Sequence, residues 1–460
     1  MLQKETTTTS LKDVELTHFH SGGRVCSREK IYVSGGIPGE RVEIVSQRGK
    51  GFRSGTAVNI LRASGDRIVP FCPHAGICGG CPWQHMRYEA QLKWKRDILT
   101  RALDKYAIQI PPEGLPDVVA SPLEKGYRNR VEYTFEAGES RNKNIMGFHP
   151  PGDLSTVFDC KECFLLPAGM HEIARGIRET ALETKIPFYR FENRSGILRN
   201  LTLRCTTTGD LAVIAGFTSN DTGIILPFLD LLSSRYKQVT SWAYTVCDPY
   251  STARYYDPVF HHHKGKTYME EKSGPLRFQY SLSSFYQPNP LQAKVIYDHI
   301  LEQAENFVTE TDPIYDLYTG VGTIALTLAR KFKNTRITGI EGNPDSVKDA
   351  VRNASVNNLN RVHFLEGDIL RTFTPSYTAR DTNPSLVLLD PPRSGTLTEI
   401  KKTILASKPA GIIYLSCNPV SLAWDLKQLT ENGYRTAAIR PFDMFPHTHH
   451  VETLAVCKKV

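Results

Sequence analysis

No uninterrupted run of about 20 apolar residues, the length that a helix needs to cross a bilayer, occurs in this 460-residue sequence. Its N-terminal residues, MLQKETTTTSLKDVE, are polar and lack the apolar segment of a secretory signal. Internal repeats and low-complexity tracts are also absent. We therefore expect a cytoplasmic protein that has no membrane partner and that folds, at about 150 residues per domain, into two to four domains.

Neither sign of charge dominates, and the net charge of +8 permits an anionic partner without requiring one. The ten cysteines do not indicate a disulfide framework, because the chain is long and carries no export signal. Their distribution is uneven, with Cys72, Cys78 and Cys81 clustered and Cys160 and Cys163 paired. Cysteine therefore points to a local site in this chain.

Residues from about 14 to 63 alternate apolar and polar side chains in short runs that glycines separate. This pattern is typical of a small, twisted β-barrel. Basic residues lie in and beside its turns: Lys30, Arg41, Arg48, Lys50 and Arg53. Because basic turns between strands suit a phosphate backbone, we predict an RNA-binding barrel over residues 1–68.

A central region, residues 69–284, begins with the cysteine-rich segment FCPHAGICGGCPW. Its three thiols, with either Cys160 or Cys163 as the fourth ligand, would bind zinc or an iron–sulfur cluster, and spacing alone does not decide between these metals. Apolar residues at helical spacing then predict a helix over 87–106. Period-2 segments up to about residue 279 predict strands, with one helix over 170–183.

Two further features of the central region are interpreted as structural. The triplet His261, His262 and His263 is predicted to form a loop, since three consecutive side chains do not easily point to one metal ion. The aromatic residues Phe285 and Tyr286, just beyond it, are expected in the core.

The C-terminal region, residues 285–460, alternates strands and helices, which predicts a parallel sheet of the Rossmann-like type. Ligands of such sheets lie at the carboxyl ends of the strands. The first strand ends in the glycine-rich turn of DLYTGVGT, the next ends at Glu341, and a third leads to Asp368. A glycine turn, an acid for a ribose diol and an acid for an adenine amino group together indicate an S-adenosylmethionine pocket.

Two more strand ends carry groups suited to methyl transfer. LVLLDPPRSG places Asp390 at a strand end that lies beside the methyl group, and LSCNP places Cys417 at the following one. A thiolate that adds to C6 of uracil makes C5 nucleophilic enough to accept a methyl group. A base must then remove the C5 proton, and Glu452 in FPHTHHVETLAV is the candidate.

With these motifs, the sequence resembles the RNA uracil-5 methyltransferases, and in particular the branch that carries a TRAM barrel and a [4Fe–4S] cluster and modifies 23S ribosomal RNA. The resemblance rests on IPGERV, CPHAGICGGC, SSFYQPNP, DLYTGVGT, LDPPR, SCNP and HTHHVET, and it extends over nearly the whole chain.

The resemblance implies roles for individual residues. Cys417 would be the nucleophile and Glu452 the base. The D-x-x-x-C-x-L context from Asp159 to Leu165 would select Cys163 as the fourth cluster ligand, beside Cys72, Cys78 and Cys81. The cofactor contacts would be Gln287, Tyr318, Thr323, Glu341, Asp368 and Asp390. Arg128 and Arg130, on the basic strand YRNRVEYTF, would contact RNA.

The expected protein is thus a monomeric enzyme with a TRAM barrel, a central α+β iron–sulfur domain and a catalytic domain on which the helix over 87–106 packs. Its substrate would be a uridine in a single-stranded loop of 23S ribosomal RNA. Transfer RNA is the alternative substrate, disfavoured because enzymes of that branch generally lack the barrel and the cluster. A non-catalytic RNA-binding protein is the alternative from another functional class.

Overall fold

The computed structural model describes residues 8–48, 53–112, 114–140, 143–248, 259–309, 312–379 and 384–460. Lys50, one of the basic turn residues, lies outside these ranges. None of the helices in the described ranges is both long and apolar enough to span a membrane.

The N-terminal strands form a closed five-stranded barrel, which confirms the predicted small β-barrel. They are β1 (Thr8–Phe19), β2 (Val25–Ser27), β3 (Ile31–Ser34), β4 (Arg41–Arg48) and β5 (Arg53–Arg62), in the order β1-β2-β3-β5-β4. Alternate residues fill the interior, as on β3, where Ile31 and Val33 are buried and their neighbours are half-buried. After the barrel come the cysteine-rich loop and helix α1 (Tyr88–Lys105), close to the predicted 87–106.

The central region contains a seven-stranded sheet with two helices packed on it. Its strands are β6 (Arg130–Glu136), β7 (Ile145–Phe148), β8 (Phe158–Asp159), β9 (Leu198–Cys205), β10 (Leu211–Phe217), β11 (Ser241–Val246) and β12 (Val259–Gly265), in the order β12-β11-β10-β9-β6-β7-β8. Helices α2 (Met170–Glu183) and α3 (Thr222–Arg235) bury apolar faces against this sheet.

Two predictions for this region are wrong. His261, His262 and His263 lie in strand β12, not in a loop, and successive side chains of a strand point to opposite faces. Phe285 is 59% exposed, so only Tyr286 of that aromatic pair lies in the core.

The C-terminal region contains a second seven-stranded sheet, flanked by helices, as the α/β prediction requires. Just before this region, β13 (Tyr268–Ser273) and β14 (Leu276–Ser281) form a separate two-stranded hairpin. The elements of the region are α4 (Pro290–Ala304), β15 (Ile314–Leu317), α5 (Thr323–Lys331), β16 (Ile337–Glu341), α6 (Pro344–Val356), β17 (Val362–Glu366), α7 (Ile369–Thr372), α8 (Pro375–Thr378), β18 (Leu386–Leu389), α9 (Thr398–Ser407), β19 (Gly411–Ser416), α10 (Pro419–Thr430), β20 (Tyr434–Phe442) and β21 (Glu452–Lys459).

The strand order of this sheet, β17-β16-β15-β18-β19-β21-β20, creates the crevice that positions the site. From β17 to β19 the strands are parallel, while β21 and β20 are antiparallel to their neighbours. The order reverses between β15 and β18, and in open α/β sheets the ligand crevice lies at such a switch point. Every residue of β15, β18 and β19 is buried, because helices cover both faces of these strands.

Packing ties the three regions together. Leu99 and Leu103 of α1 belong to the apolar core that Ile412 of β19 and Leu422 of α10 also form, whereas Ile98 faces the barrel core. The β13–β14 hairpin packs on α6, where the buried Asp349 accepts hydrogen bonds from the backbone N–H and the hydroxyl of Ser281. The hairpin therefore packs with the C-terminal region, although it precedes residue 285.

Candidate active site

The turn after β15 has the backbone that a glycine-rich ligand loop needs. Tyr318, Gly320 and Gly322 have φ angles of 67°, 57° and 85°, in the left-handed region that glycine adopts without strain. A Cβ at position 322 would also lie 2.9 Å from the Phe364 ring. The turn leads into Thr323, the first residue of α5, so that free backbone N–H groups face the crevice.

The two acids expected to bind a nucleoside lie at the neighbouring strand ends. Glu341, the last residue of β16, accepts hydrogen bonds from the backbone N–H groups of Gly320 (3.0 Å) and Asn343 (2.8 Å). Its carboxylate is therefore held beside the glycine turn. Asp368 is exposed and uses one oxygen to cap α7 through the N–H of Leu370, at 2.8 Å.

Two further carboxyl groups lie at or near the ends of β15 and β18: Asp316 is buried and Asp390 is half-buried. Asp316 accepts hydrogen bonds from the Thr319 hydroxyl (2.6 Å) and the Ala325 N–H (3.1 Å), but its other oxygen is buried without a partner. Burial raises the pKa of Asp316 to about 7. Burial, and secondarily the charge of Asp316, raises the pKa of Asp390 to about 7.

Strand pairing brings Cys417 and Glu452 together. The antiparallel register of β19 and β21 sets Ser416, the last residue of β19, opposite Thr453. Continued by one residue, this register places Cys417 opposite Glu452, the first residue of β21. Cys417 is half-buried and Glu452 is buried. Side chains of opposed residues lie on the same face of a sheet, so the thiol and the carboxyl group lie side by side at its end, close enough for the charge of Glu452 to act on Cys417.

Arg393 provides the positive charge that acts on this pair. It lies on the surface directly after Pro391 and Pro392, and its guanidinium contacts the His450 ring at 3.2 Å. Its backbone carbonyl accepts a hydrogen bond from the Asn418 side chain at 2.9 Å, which links the loops after β18 and β19.

Burial and like charge both favour the protonated forms of the two groups. Burial, and secondarily the negative charge of Glu452, raises the pKa of Cys417 to about 11, and the Arg393 guanidinium opposes this shift. Burial, with a contribution from the charge of Asp390, raises the pKa of Glu452 to about 8, again against Arg393. The site therefore holds several acids in a buried environment, which favours a cationic ligand.

Hydrogen bonding links two further groups of residues that are expected to contact a cofactor or RNA. Gln287 is half-buried, and its backbone carbonyl accepts a hydrogen bond from the Asn129 side chain at 2.9 Å. Asn129 lies between Arg128 and Arg130, so the basic segment is fastened directly to the segment that carries Gln287. Arg130 is exposed, and its guanidinium group lies 3.7 Å from the Glu132 carboxylate.

The clustered cysteines line a cavity of about 300 Å³ between the cysteine-rich loop and the central sheet. Five thiols border it: Cys72, Cys78, Cys81, Cys160 and Cys163. Arg128 borders it too, which the sequence did not indicate. Within the residues that the structure describes, no three His, Cys, Asp or Glu side chains converge as a site for a single metal ion.

Several residues that shape the site were not predicted. Arg393 stands in a motif that was recognised, but its contact with His450 depends on a loop from the end of the chain. Asp316 could have been noticed as a buried strand-end acid. Nothing in the sequence indicated the role of Asn129, because the residue that it binds, Gln287, is 158 positions away along the chain.

A family model described as tRNA (uracil-5-)-methyltransferase matches residues 266–460 of this chain. A Porphyromonas gingivalis protein named as an uncharacterized RNA methyltransferase is 34% identical over 446 residues, covering 93% of this chain and 94% of that protein. One of the same description from Thermotoga maritima is 30% identical over 467 residues, covering 98% of this chain and 99% of that protein.

Among solved structures, the chain is similar to the Pyrococcus abyssi tRNA (uracil-54, C5)-methyltransferase in complex with S-adenosyl-L-homocysteine. The TM-score is 0.77 and the identity 26%, with 97% of this chain and 100% of that chain covered. The likeness therefore includes the barrel and the central region as well as the C-terminal sheet.

The charges around Cys417 make a testable prediction about its reactivity. Glu452→Gln removes a like charge and lowers the thiol pKa, whereas Arg393→Gln removes the opposing cation and raises it. At pH 9 the alkylation rate of Cys417 with iodoacetamide, followed by mass spectrometry of its peptide, should fall in the order Glu452→Gln, unaltered protein, Arg393→Gln. Steps of about threefold correspond to half a pKa unit.

Arg435→Gln is the matched control for the removal of an arginine, because Arg435 is exposed at the far end of β20. It should leave the rate unchanged. Equal rates in all four proteins would contradict the assigned electrostatics.

Proposed function

Since the chain belongs to the RNA uracil-5 methyltransferase family, we propose that it methylates C5 of a uridine in RNA through a covalent bond between Cys417 and C6 of the base. S-adenosylmethionine is the proposed methyl donor, in keeping with the S-adenosyl-L-homocysteine held by the Pyrococcus abyssi relative. The observation that carries the proposal is the opposition of Cys417 and Glu452 at the end of the crevice.

Cys417 and Glu452 divide the reaction between them. The Cys417 thiolate forms a bond to C6, and the electrons of the C5–C6 double bond move toward C5 and the C4 carbonyl. C5 takes the methyl group that the bound donor supplies as an electrophile. The Glu452 carboxylate then removes the C5 proton, the double bond re-forms, and the C6–sulfur bond breaks to release the thiolate.

The crevice fits a positively charged methyl donor. The unpartnered oxygen of Asp316 and the raised pKa values of Asp390 and Glu452, caused chiefly by burial, describe a site that a nearby cation would stabilise. Glu341 beside the glycine turn suits a ribose diol. The residues proposed to hold the donor are Gln287, Tyr318, Thr323, Glu341, Asp368 and Asp390.

A [4Fe–4S] cluster held by Cys72, Cys78, Cys81 and Cys163 is part of the proposal. A zinc site needs four thiolates only ~3.8 Å apart, given zinc–sulfur bonds of about 2.3 Å. Thiols that border a cavity without converging on a single ion suit a larger group better.

We also propose three domains: residues 1–68 form the TRAM barrel, residues 69–284 the iron–sulfur region and residues 285–460 the catalytic domain. Arg128 and Arg130 are the proposed RNA contacts.

The RNA substrate is proposed as 23S ribosomal RNA, on the resemblance of the cysteine motif. Transfer RNA is the second candidate, and one observation favours it: an enzyme named for tRNA uracil-54 matches the chain over 97% of its length. The presence of an N-terminal barrel and a central region therefore does not separate the two substrates.

The substrate is tested by mapping 5-methyluridine in ribosomal and transfer RNA from cells with and without the gene. The leading proposal expects one or more uridines of 23S ribosomal RNA to lose methylation, with transfer RNA unchanged. Loss confined to transfer RNA would replace the substrate, and no loss in either RNA would contradict the proposed function.

Variants of the two reacting residues test the mechanism. Cys417→Ala should lower methyl transfer to RNA by at least about 10³-fold, since no adduct can form, while Cys205→Ala on β9 serves as the control. Glu452→Gln should form the adduct and fail to release it, giving an RNA-linked protein band on a denaturing gel. Full activity of Cys417→Ala would defeat the covalent mechanism, and rapid turnover of Glu452→Gln would remove Glu452 as the base.

Metal analysis tests the cluster. Protein purified without oxygen should contain iron and acid-labile sulfide in equal amounts and absorb broadly near 400 nm. Cys81→Ser should lose both, whereas Cys160→Ser, which alters a thiol on the same cavity, should keep them. Zinc in place of iron, or retention of iron by Cys81→Ser, would contradict the assignment.

A further inference from the structure

Segment 443–451 joins β20 to β21 and leads to Glu452. It contains no helix or strand, but residues from other parts of the protein hydrogen-bond to its backbone. Four consecutive carbonyl groups accept hydrogen bonds from distant residues. The Asn289 side-chain amide donates to Met444 (3.2 Å) and the Lys95 ammonium group to Phe445 (3.0 Å). The Tyr127 hydroxyl donates to Pro446 (3.3 Å) and the backbone N–H of Trp83 to His447 (3.0 Å).

Lys95 of α1 makes the strongest of these attachments. Its side chain is completely buried, and its ammonium group lies 2.5 Å from the carboxylate of Asp443, which is also completely buried. The same carboxylate oxygen accepts a hydrogen bond from the Phe445 N–H at 3.0 Å. Lys95 thus binds both the first residue of the segment and the carbonyl two residues later.

A buried ion pair of this kind adds little net stability, because removing both charges from water offsets most of their attraction. What it fixes is geometry, since the Lys95 ammonium group binds the Asp443 carboxylate and the Phe445 carbonyl at the same time. The segment's own hydrogen bonds are turn bonds, such as the one from the Thr448 N–H to the Phe445 carbonyl (3.3 Å), so its position relative to the rest of the protein depends on the outside contacts.

The segment controls the position of two groups at the proposed site. It ends where β21 begins with Glu452, and its His450 contacts Arg393 at 3.2 Å. Cys417, in contrast, follows β19, whose position is fixed by β18 on one side and β21 on the other. Glu452 is paired with Phe442 at the last position of the β20–β21 ladder, directly beside the segment, so a displaced segment would move Glu452 before it moved Cys417.

We propose that Lys95 is a positioning residue for the release step: through Asp443 and Phe445 it holds segment 443–451 so that Glu452 reaches the C5 proton of the bound uridine. This inference rests on the proposed function. Gln91, one turn earlier on α1, accepts a hydrogen bond from the His447 N–H at 2.8 Å. Trp83, which also contacts His447, belongs to the cysteine-rich loop, so this loop helps to position the segment as well.

The inference predicts a change in the balance of two rates, which a general loss of stability would not produce. Loss of the Lys95 contact should leave adduct formation by Cys417 close to normal and slow the breakdown of the adduct. A merely structural role would lower the amount of active enzyme and leave the breakdown rate of each adduct unchanged.

The test is a single-turnover reaction with RNA and S-adenosylmethionine, sampled over time on denaturing gels to follow the adduct and its product. Lys95→Met/Asp443→Asn removes both charges and avoids a lone buried charge. Its adduct should form within about twofold of the normal rate and break down about ten- to a hundredfold more slowly, the scale of a 1 Å misplacement. Lys294→Met/Asp298→Asn, an exposed ion pair on α4, is the matched control and should behave normally.

Tyr127→Phe provides a second variant that removes only the hydrogen bond to Pro446 and should slow breakdown by about threefold, a loss of the size of one hydrogen bond. If the double variant does not fold, this variant decides the question. Normal breakdown of the adduct in the variants that fold, while Glu452→Gln traps it, would overturn the inference and leave the proposed function standing. Absence of any adduct in Glu452→Gln would instead overturn the proposed function.

Discussion

The antiparallel pairing of β19 with β21 is the constraint on which the site depends. It joins the parallel part of the sheet to the last strand of the chain and sets Cys417 opposite Glu452. Neither residue belongs to the glycine turn or to the acids proposed to hold the methyl donor, yet the pairing places both at the same crevice. A shift of one residue in this register would turn the Glu452 side chain to the other face of the sheet.

Burial around this pairing sets the protonation states of the reacting groups. It raises the pKa of Cys417 to about 11 and that of Glu452 to about 8, and Arg393 is the cation that opposes both shifts. Such a pocket holds its thiol protonated until positive charge arrives. A cationic methyl donor would supply that charge, and the thiolate would then form when the second reactant is in place.

The sequence predicted those elements that neighbouring residues in the chain specify through a repeating pattern. The barrel followed from period-2 alternation, the C-terminal sheet from alternating strands and helices, and Cys417 and Glu452 were marked by their places beside strands. The histidine triplet was misread because a polar run on an edge strand looks like a loop, and Phe285 because apolarity does not report exposure. Asn129, Lys95 and Asp443 escaped notice since their partners are far away in sequence, and a buried lysine in an amphipathic helix resembles a surface one.

The central claim is that the sulfur of Cys417 bonds to C6 of the uridine that receives the methyl group. RNA that carries 5-fluorouridine tests this most directly, because no base can remove fluorine from C5 as a proton is removed and the adduct cannot decay. After incubation with S-adenosylmethionine and digestion, mass spectrometry should find the Cys417 peptide bearing a methylated fluorouridine. A fluorouridine adduct on any other cysteine, or methyl transfer with no adduct at all, would contradict the account.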